Sequence, residues 1–132
     1  MNAISDYALE TQTLSRRWGG KHALRELTLR VPRGGVHALV GRNGAGKTTL
    51  LRVLLGFVSP SSGTSRVLGE DSATLSPEAR GRIAYVNEEH ALPGWMTVAS
   101  LRALHVSTYP RWDETAYGEV AGLFRLPDTQ RV

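Results

Sequence analysis

The segment that most constrains the fold lies at residues 41–49 and reads Gly-Arg-Asn-Gly-Ala-Gly-Lys-Thr-Thr. It matches G-x-x-x-x-G-K-[ST], the pattern of a phosphate-binding loop between a strand and a helix. Its flanks suit that context, because the apolar run at residues 36–40 is typical of a buried strand and residues 50–55 favour a helix ending at Gly56. The sequence therefore predicts a strand, a phosphate loop and a helix in this order.

The residue types of this loop indicate how it would bind phosphate. Glycines allow backbone angles and close approaches that a side chain would forbid, so the loop N–H groups and the helix N-terminus can point at phosphate oxygens. Lys47 adds a positive charge for the β- and γ-phosphates, and the Thr48 hydroxyl is placed to ligate Mg²⁺. The expected contacts in the loop are Gly41, Asn43, Gly44, Ala45, Gly46, Lys47, Thr48 and Thr49.

Composition narrows the class of protein further. The net charge of +4 in 132 residues suits an anionic ligand, but the arginines are scattered and form no basic patch, so no nucleic-acid partner is expected. The absence of cysteine excludes disulfides and thiolate metal sites. No apolar run approaches the roughly 18 residues of a membrane span, and no secretory signal pattern is seen at the start.

Other segments predict the elements around the loop. Alternation favours strands within residues 7–14, 27–31 and 64–69, and the apolar run at residues 82–86 predicts a second core strand. Short helices are expected to begin after the capping residues Ser76, Thr97 and Asp113. Trp95 and Trp112 are interpreted as packing residues.

Taken in this order, the residues resemble an ATP-binding-cassette (ABC) ATPase, the motor subunit of ABC transporters. The phosphate loop is close to that family's version, and Trp18-Gly19 lies where the family has an aromatic residue that stacks on adenine. The segment at residues 83–86, followed by His90-Ala91-Leu92 and Met96-Thr97-Val98, resembles the family's Q-loop region. The similarity covers roughly residues 8 to 130.

The resemblance implies an α/β fold of the P-loop NTPase class, specifically an incomplete ABC-type nucleotide-binding domain. It would contain peripheral antiparallel strands, part of a parallel core sheet and the first helices of the helical subdomain. Residues 1–95 would form the first half of the nucleotide-binding core and residues 96–132 the start of the helical subdomain. The family's signature motif, acidic strand, catalytic glutamate and switch histidine normally lie beyond Val132. The chain is therefore expected to lack the remainder of the cassette, to contain no catalytic residue and not to complete hydrolysis alone.

The resemblance also assigns roles outside the loop. Trp18 would stack on adenine, the alternative being a surface aromatic residue in a turn. Glu88 takes the place of the Q-loop glutamine and would contact Mg²⁺ and the γ-phosphate beside Thr48, with Glu89 as its rival. The alternative is that both glutamates are solvated loop charges.

The function implied is binding of Mg²⁺-ATP by an ATPase that couples hydrolysis to transport across a membrane. Its partners would be a membrane permease subunit and a second cassette, in a homo- or heterodimer, with the protein in the cytoplasm at the inner face of the cell membrane. One alternative is a non-transport ABC ATPase of the DNA-repair or ribosome-associated kind, which the lack of a basic patch disfavours. Another is a truncated nucleotide-binding fragment without turnover. A GTPase is disfavoured because the sequence contains no N-K-x-D motif.

Overall fold

A computed structural model of the chain describes residues 6–86 and 92–132. The chain divides into two units, Met1–Arg82 and Ile83–Val132. In the first unit the strands are β1 (Tyr7–Trp18), β2 (Lys21–Pro32), β3 (Ser62–Val67) and β4 (Glu70–Asp71), and the helices are α1 (Lys47–Leu54), a 3₁₀ turn (Ser72–Thr74) and α2 (Pro77–Arg80). The second unit contains α3 (Val98–Thr108) and α4 (Glu114–Leu123).

The sheet of the first unit is antiparallel throughout, with the strand order β2-β1-β3-β4. Bulges interrupt the long β1–β2 hairpin, and Thr13 and Glu26 there adopt left-handed φ angles of 45° and 47°. The hydroxyl of Ser15, which is buried, accepts a hydrogen bond of 2.9 Å from the Glu26 backbone N–H. This bond satisfies a donor that the bulge removes from the strand ladder.

The core of the first unit forms where α1 packs against the sheet and the 3₁₀ turn. Apolar residues at helical spacing give α1 one buried face. The hydroxyls of Ser65 and Ser72 are both buried and hydrogen-bond to each other, so neither polar group is left unsatisfied. The buried apolar residues of this unit are Leu14, Leu24, Leu50, Val53, Leu54, Val67, Leu75 and Ala79.

The parallel core strands predicted at residues 36–40 and 82–86 are not formed, and this part of the prediction is wrong. Val36 is fully exposed and Val40 nearly so, while Tyr85 and Val86 are also exposed. A parallel strand needs hydrogen-bonded neighbours and cover on both faces. Neither segment pairs with another strand within residues 6–86 and 92–132, so neither is held in the extended, hydrogen-bonded form that its apolar pattern predicts.

In the second unit, side chains cap both helices as the sequence predicted. Thr97 and Ser100 form a reciprocal capping box at the start of α3, and the Asp113 carboxylate accepts from the N–H of Ala116 in α4. Ser76 likewise caps α2 in the first unit. The last residues of the chain complete the α3 start, because the N–H groups of Val98 and Ala99 donate to carbonyls at residues 130 and 128.

A polar cluster joins α3 to α4 in this unit. The Glu114 carboxylate accepts from the Trp112 indole N–H at 2.8 Å and pairs with the Arg102 guanidinium. The bond from Trp112 and then that from Arg102 hold the pKa of Glu114 below its usual value, and the contact with Glu114 raises the pKa of Arg102. Trp112 also contacts the rings of His105 and Tyr117, which confirms it as a packing residue, whereas Trp95 is largely exposed and that prediction is wrong. No helix within the described ranges is long and apolar enough to cross a membrane.

The contrast between core and exposed leucines gives a test of the fold. Leu14 is fully buried in β1, whereas Leu39 is half exposed in the unpaired segment. Leu14→Ala is expected to lower the free energy of unfolding by about 2–5 kcal/mol, because it leaves a cavity. Leu39→Ala, which removes the same atoms, should change it by less than about 0.5 kcal/mol. Urea unfolding followed by circular dichroism measures both, and equal losses would contradict the arrangement of residues 36–40 described above.

Candidate functional site

The phosphate loop bends through two glycines with left-handed backbones, Gly44 at φ 81° and Gly46 at φ 89°. Gly46 also lies against β2. A Cβ placed on it would be 2.3 Å from the Ala23 carbonyl oxygen and 3.0 Å from a methyl carbon of Leu24. Residues with side chains do not approach a backbone this closely, so glycine is required here by both angle and space. The loop is thereby held against the hairpin at the point where α1 begins.

Lys47 folds back across the loop. Its ammonium nitrogen donates to the carbonyl oxygens of Gly41 at 2.7 Å and Arg42 at 3.0 Å. The Arg42 carbonyl also accepts from the Ala45 N–H at 3.1 Å, which closes a turn within the loop. An ammonium has three donors, so these contacts leave one more for an anion. The lysine thus stabilises the curved loop and places a positive charge on it.

The start of α1 follows directly from this turn. Its N-cap is Gly46, no side chain caps the first turn, and no acidic residue lies in that turn. The N–H groups of a first helical turn have no partner within the helix and carry a partial positive charge. The Thr48 side chain is exposed in the same turn, and Asn43 is exposed in the loop. The loop and helix start are therefore suited to an oxyanion, with a hydroxyl nearby as a hard-cation ligand.

Trp18 ends β1 at the tip of the hairpin and is about half exposed. The guanidinium carbon of Arg16 lies 4.1 Å from its ring centroid, a cation–π contact. Sequence reasoning singled out Trp18 but assigned no role to Arg16. The sequence did indicate this contact, because residues 16 and 18 are two apart in a strand and their side chains therefore lie on one face.

The structure brings the hairpin tip and the phosphate loop to the same part of the first unit. Ala23 and Leu24, which contact Gly46, lie just after the hairpin turn, and Leu24 is the register partner of Arg16. Glu88, the other predicted metal contact, lies outside the described residues, as does its rival Glu89. The contact of Gly46 with Ala23 therefore places the loop beside the hairpin whose first strand ends at Trp18.

A cleft of about 500 Å³ opens elsewhere on the hairpin and does not include the phosphate loop. It is shallow and polar, with exposed charged side chains on strands β1 and β2. A phosphate loop binds its ligand on a curved strip of backbone rather than in a deep cavity, so the candidate site stays at the loop. Its lining residues are Ser15, Arg17, His22, Arg25, Glu26, Ser61 and Ser62.

Comparison with known proteins gives consistent matches. The family model described as "ABC transporter" matches residues 24–131. The ribose import ATP-binding protein RbsA of Cereibacter sphaeroides is 37% identical over 73% of this chain and 20% of that protein. The daunorubicin/doxorubicin resistance ATP-binding protein DrrA of Streptomyces peucetius is 33% identical over 98% of this chain and 40% of that protein. The chain thus spans well under half the length of these relatives.

A solved structure is also similar to this chain. The structure of an ATP-binding subunit of an ABC transporter superposes with a TM-score of 0.79 and 28% identity, over 94% of this chain and 54% of the other. This likeness confirms the α/β fold class predicted from the sequence. The described residues form the antiparallel sheet β2-β1-β3-β4 and the helices α1 to α4 of this fold.

The two left-handed glycines of the loop allow the effects of angle and space to be separated. A Cβ on Gly44 would meet nothing within 4 Å, although its φ matches that of Gly46. Gly44→Ala is expected to lower stability by about 1–2 kcal/mol through the left-handed backbone alone. Gly46→Ala adds the collision with Ala23 and should lower it by about 1–3 kcal/mol more. If urea unfolding gives the same loss of stability for Gly44→Ala and Gly46→Ala, the loop does not lie against β2.

Proposed function

Because the chain belongs to the ABC transporter family, we propose that it binds Mg²⁺-ATP as part of a transporter ATPase that couples ATP hydrolysis to transport. The observation that carries this proposal is the position of the phosphate loop. Its Gly46 lies against the hairpin whose first strand ends at Trp18. One end of this site offers backbone donors and a lysine, and the other offers an aromatic face. These are the groups that a nucleotide's phosphates and base require.

Each loop residue takes a role that its geometry supports. Gly44 and Gly46 let the backbone curve, so that the N–H groups from Asn43 to Thr49, apart from that of Ala45, can face phosphate oxygens. Gly41 leaves room within the loop, because a Cβ on it would lie 3.3 Å from the Ala45 Cβ. Lys47 would donate its third N–H to a phosphate oxygen while keeping its bonds to the loop carbonyls. That contact joins two opposite charges, so it is stronger than a contact with an uncharged acceptor. Trp18 would stack on adenine with the ring face that Arg16 does not cover.

The residues also fit Mg²⁺ when it is bound together with the nucleotide. No group of three or more His, Asp or Glu side chains within residues 6–86 and 92–132 could hold a metal ion. Mg²⁺ keeps several waters and is commonly held by substrate phosphates with one or two protein oxygens. The Thr48 hydroxyl would supply one such oxygen, and we assign Glu88 as a second. The bound ion would neutralise phosphate charge.

The names of the relatives favour transport over the non-transport alternatives, because they concern ribose import and daunorubicin or doxorubicin resistance. We therefore propose a membrane permease and a second cassette as partners, at the cytoplasmic face of a membrane. Residues 1–95 would serve as the nucleotide-binding core and residues 96–132 as the beginning of the helical subdomain. Names that state import and names that state drug resistance both occur among the relatives, so we propose neither a direction of transport nor a substrate.

Replacing the loop lysine tests the proposal most directly. Lys47→Ala is expected to weaken ATP binding by about 10- to 100-fold, because a hydrogen bond from a charged group contributes about 1.5–3 kcal/mol. The affinity for tripolyphosphate should fall by the same factor, because Lys47 would contact phosphate and not the base. Isothermal titration calorimetry with Mg²⁺ present measures both ligands.

Arg66→Ala is the matched control for Lys47→Ala. Arg66 is exposed on β3, which β1 separates from the strand that Gly46 contacts, and its replacement changes the net charge by the same amount. Equal affinities in Lys47→Ala and Arg66→Ala would refute the assignment of residues 41–49 to phosphate binding.

The proposed metal contact of Glu88 predicts a change in Mg²⁺ dependence. A carboxylate attracts the metal but repels a γ-phosphate that has no metal beside it, whereas a glutamine does neither as strongly. Glu88→Gln should therefore strengthen metal-free ATP binding and narrow the difference between titrations with and without Mg²⁺. Glu89→Gln is the control. If the difference between titrations with and without Mg²⁺ is unchanged in Glu88→Gln and narrowed in Glu89→Gln, the metal contact belongs to Glu89 instead.

A further inference from the structure

Arg16 makes two contacts at the end of β1 that involve different parts of the first unit. Its guanidinium stacks on Trp18 with 4.1 Å between the guanidinium carbon and the ring centroid. Its Nη1 donates to the Ser59 carbonyl oxygen at 2.9 Å. Its Nε is buried and has no hydrogen-bond partner in the described part of the chain. A cation that is partly desolvated in this way is held more strongly by an aromatic face than an exposed one.

The segment that Arg16 reaches is the loop after α1. Two further bonds join it to the same end of β1, from the Ser61 N–H to the Ser15 carbonyl at 2.8 Å and from the Arg17 N–H to the Ser61 hydroxyl at 3.0 Å. The backbone is therefore positioned by bonds that do not involve the Arg16 side chain. What Arg16 adds is the orientation of the Trp18 ring relative to the helix that follows the phosphate loop.

We propose that Arg16 is a positioning residue, which holds the Trp18 indole as a one-sided stacking platform for a nucleotide base. This inference rests on the proposed function, and it adds a residue that neither touches phosphate nor occupies the stacking face. Covering one face of the ring leaves the other for the base and fixes the ring before binding. A ring fixed in advance loses less conformational entropy when the base stacks on it.

Arg17 provides a matched control. It is the next residue in β1, it carries the same charge, and its exposed side chain makes no hydrogen bond or ion pair with any described residue. Arg16→Met and Arg17→Met each remove one charge and keep a long side chain. Arg16→Lys keeps the charge but loses the planar group that stacks and donates together.

The first measurement requires no ligand. In a Trp95→Phe, Trp112→Phe background, Trp18 is the sole tryptophan, and its quenching by acrylamide reports how much of the ring is covered. Arg16→Met should raise the quenching, Arg16→Lys should raise it less, and Arg17→Met should leave it unchanged. Equal quenching in Arg16→Met and Arg17→Met would overturn the positioning role.

The second measurement separates base from phosphate, in the chain with its native tryptophans. Arg16→Met is expected to weaken ATP binding by about three- to tenfold while leaving tripolyphosphate affinity unchanged. In a Trp18→Ala background the same substitution should have no further effect on ATP, since the two residues act through one contact. Parallel losses for both ligands would show a general structural role and refute the inference. Absence of binding of either ligand to the native chain would instead refute the proposed function, and the quenching comparison would still decide whether Arg16 holds the ring.

Discussion

The close approach of the Gly46 backbone to the Ala23 carbonyl determines where the candidate site can form. A Cβ at Gly46 would lie 2.3 Å from that oxygen, so only glycine permits the contact. The contact places the start of α1 beside the hairpin that carries Trp18. The proposed nucleotide site depends on this contact, because it sets the loop against the strand that follows the hairpin turn.

The other end of α1 is held by a different set of groups. Ser59 and Ser61, in the loop that follows the helix, hydrogen-bond to Arg16, Ser15 and Arg17 at the end of β1. The helix is therefore tied to one hairpin at both its ends, first by backbone packing and then by hydrogen bonds. A short helix of this kind is not stable alone. Its position comes from these contacts and from the buried face formed by Leu50, Val53 and Leu54.

The sequence predicted features whose causes are local. The loop pattern required glycine at particular positions, and the capping residues Ser76, Thr97 and Asp113 act on N–H groups only a few residues away. It could not predict whether the apolar runs at residues 36–40 and 82–86 would pair. Their pattern specifies what each run can bury, while strand formation depends on neighbours that lie elsewhere in a fold. Trp95 shows the same limit, since a large apolar side chain packs only where a partner surface exists.

Arg16 illustrates a further limit, because its importance lies in a pair of contacts and not in a motif. Spacing places it on the face of Trp18, but only the folded chain shows that its other donor reaches Ser59.

The Lys47 contacts shape the phosphate loop before any ligand binds. In the folded chain the ammonium already donates to the carbonyls of Gly41 and Arg42. A phosphate oxygen can accept from the third donor without displacing either carbonyl, and that contact joins two opposite charges. Both carbonyl contacts can then persist and keep the ammonium in place. The loop is thus shaped in advance by the same side chain that would bind the ligand, which lowers the entropic cost of binding.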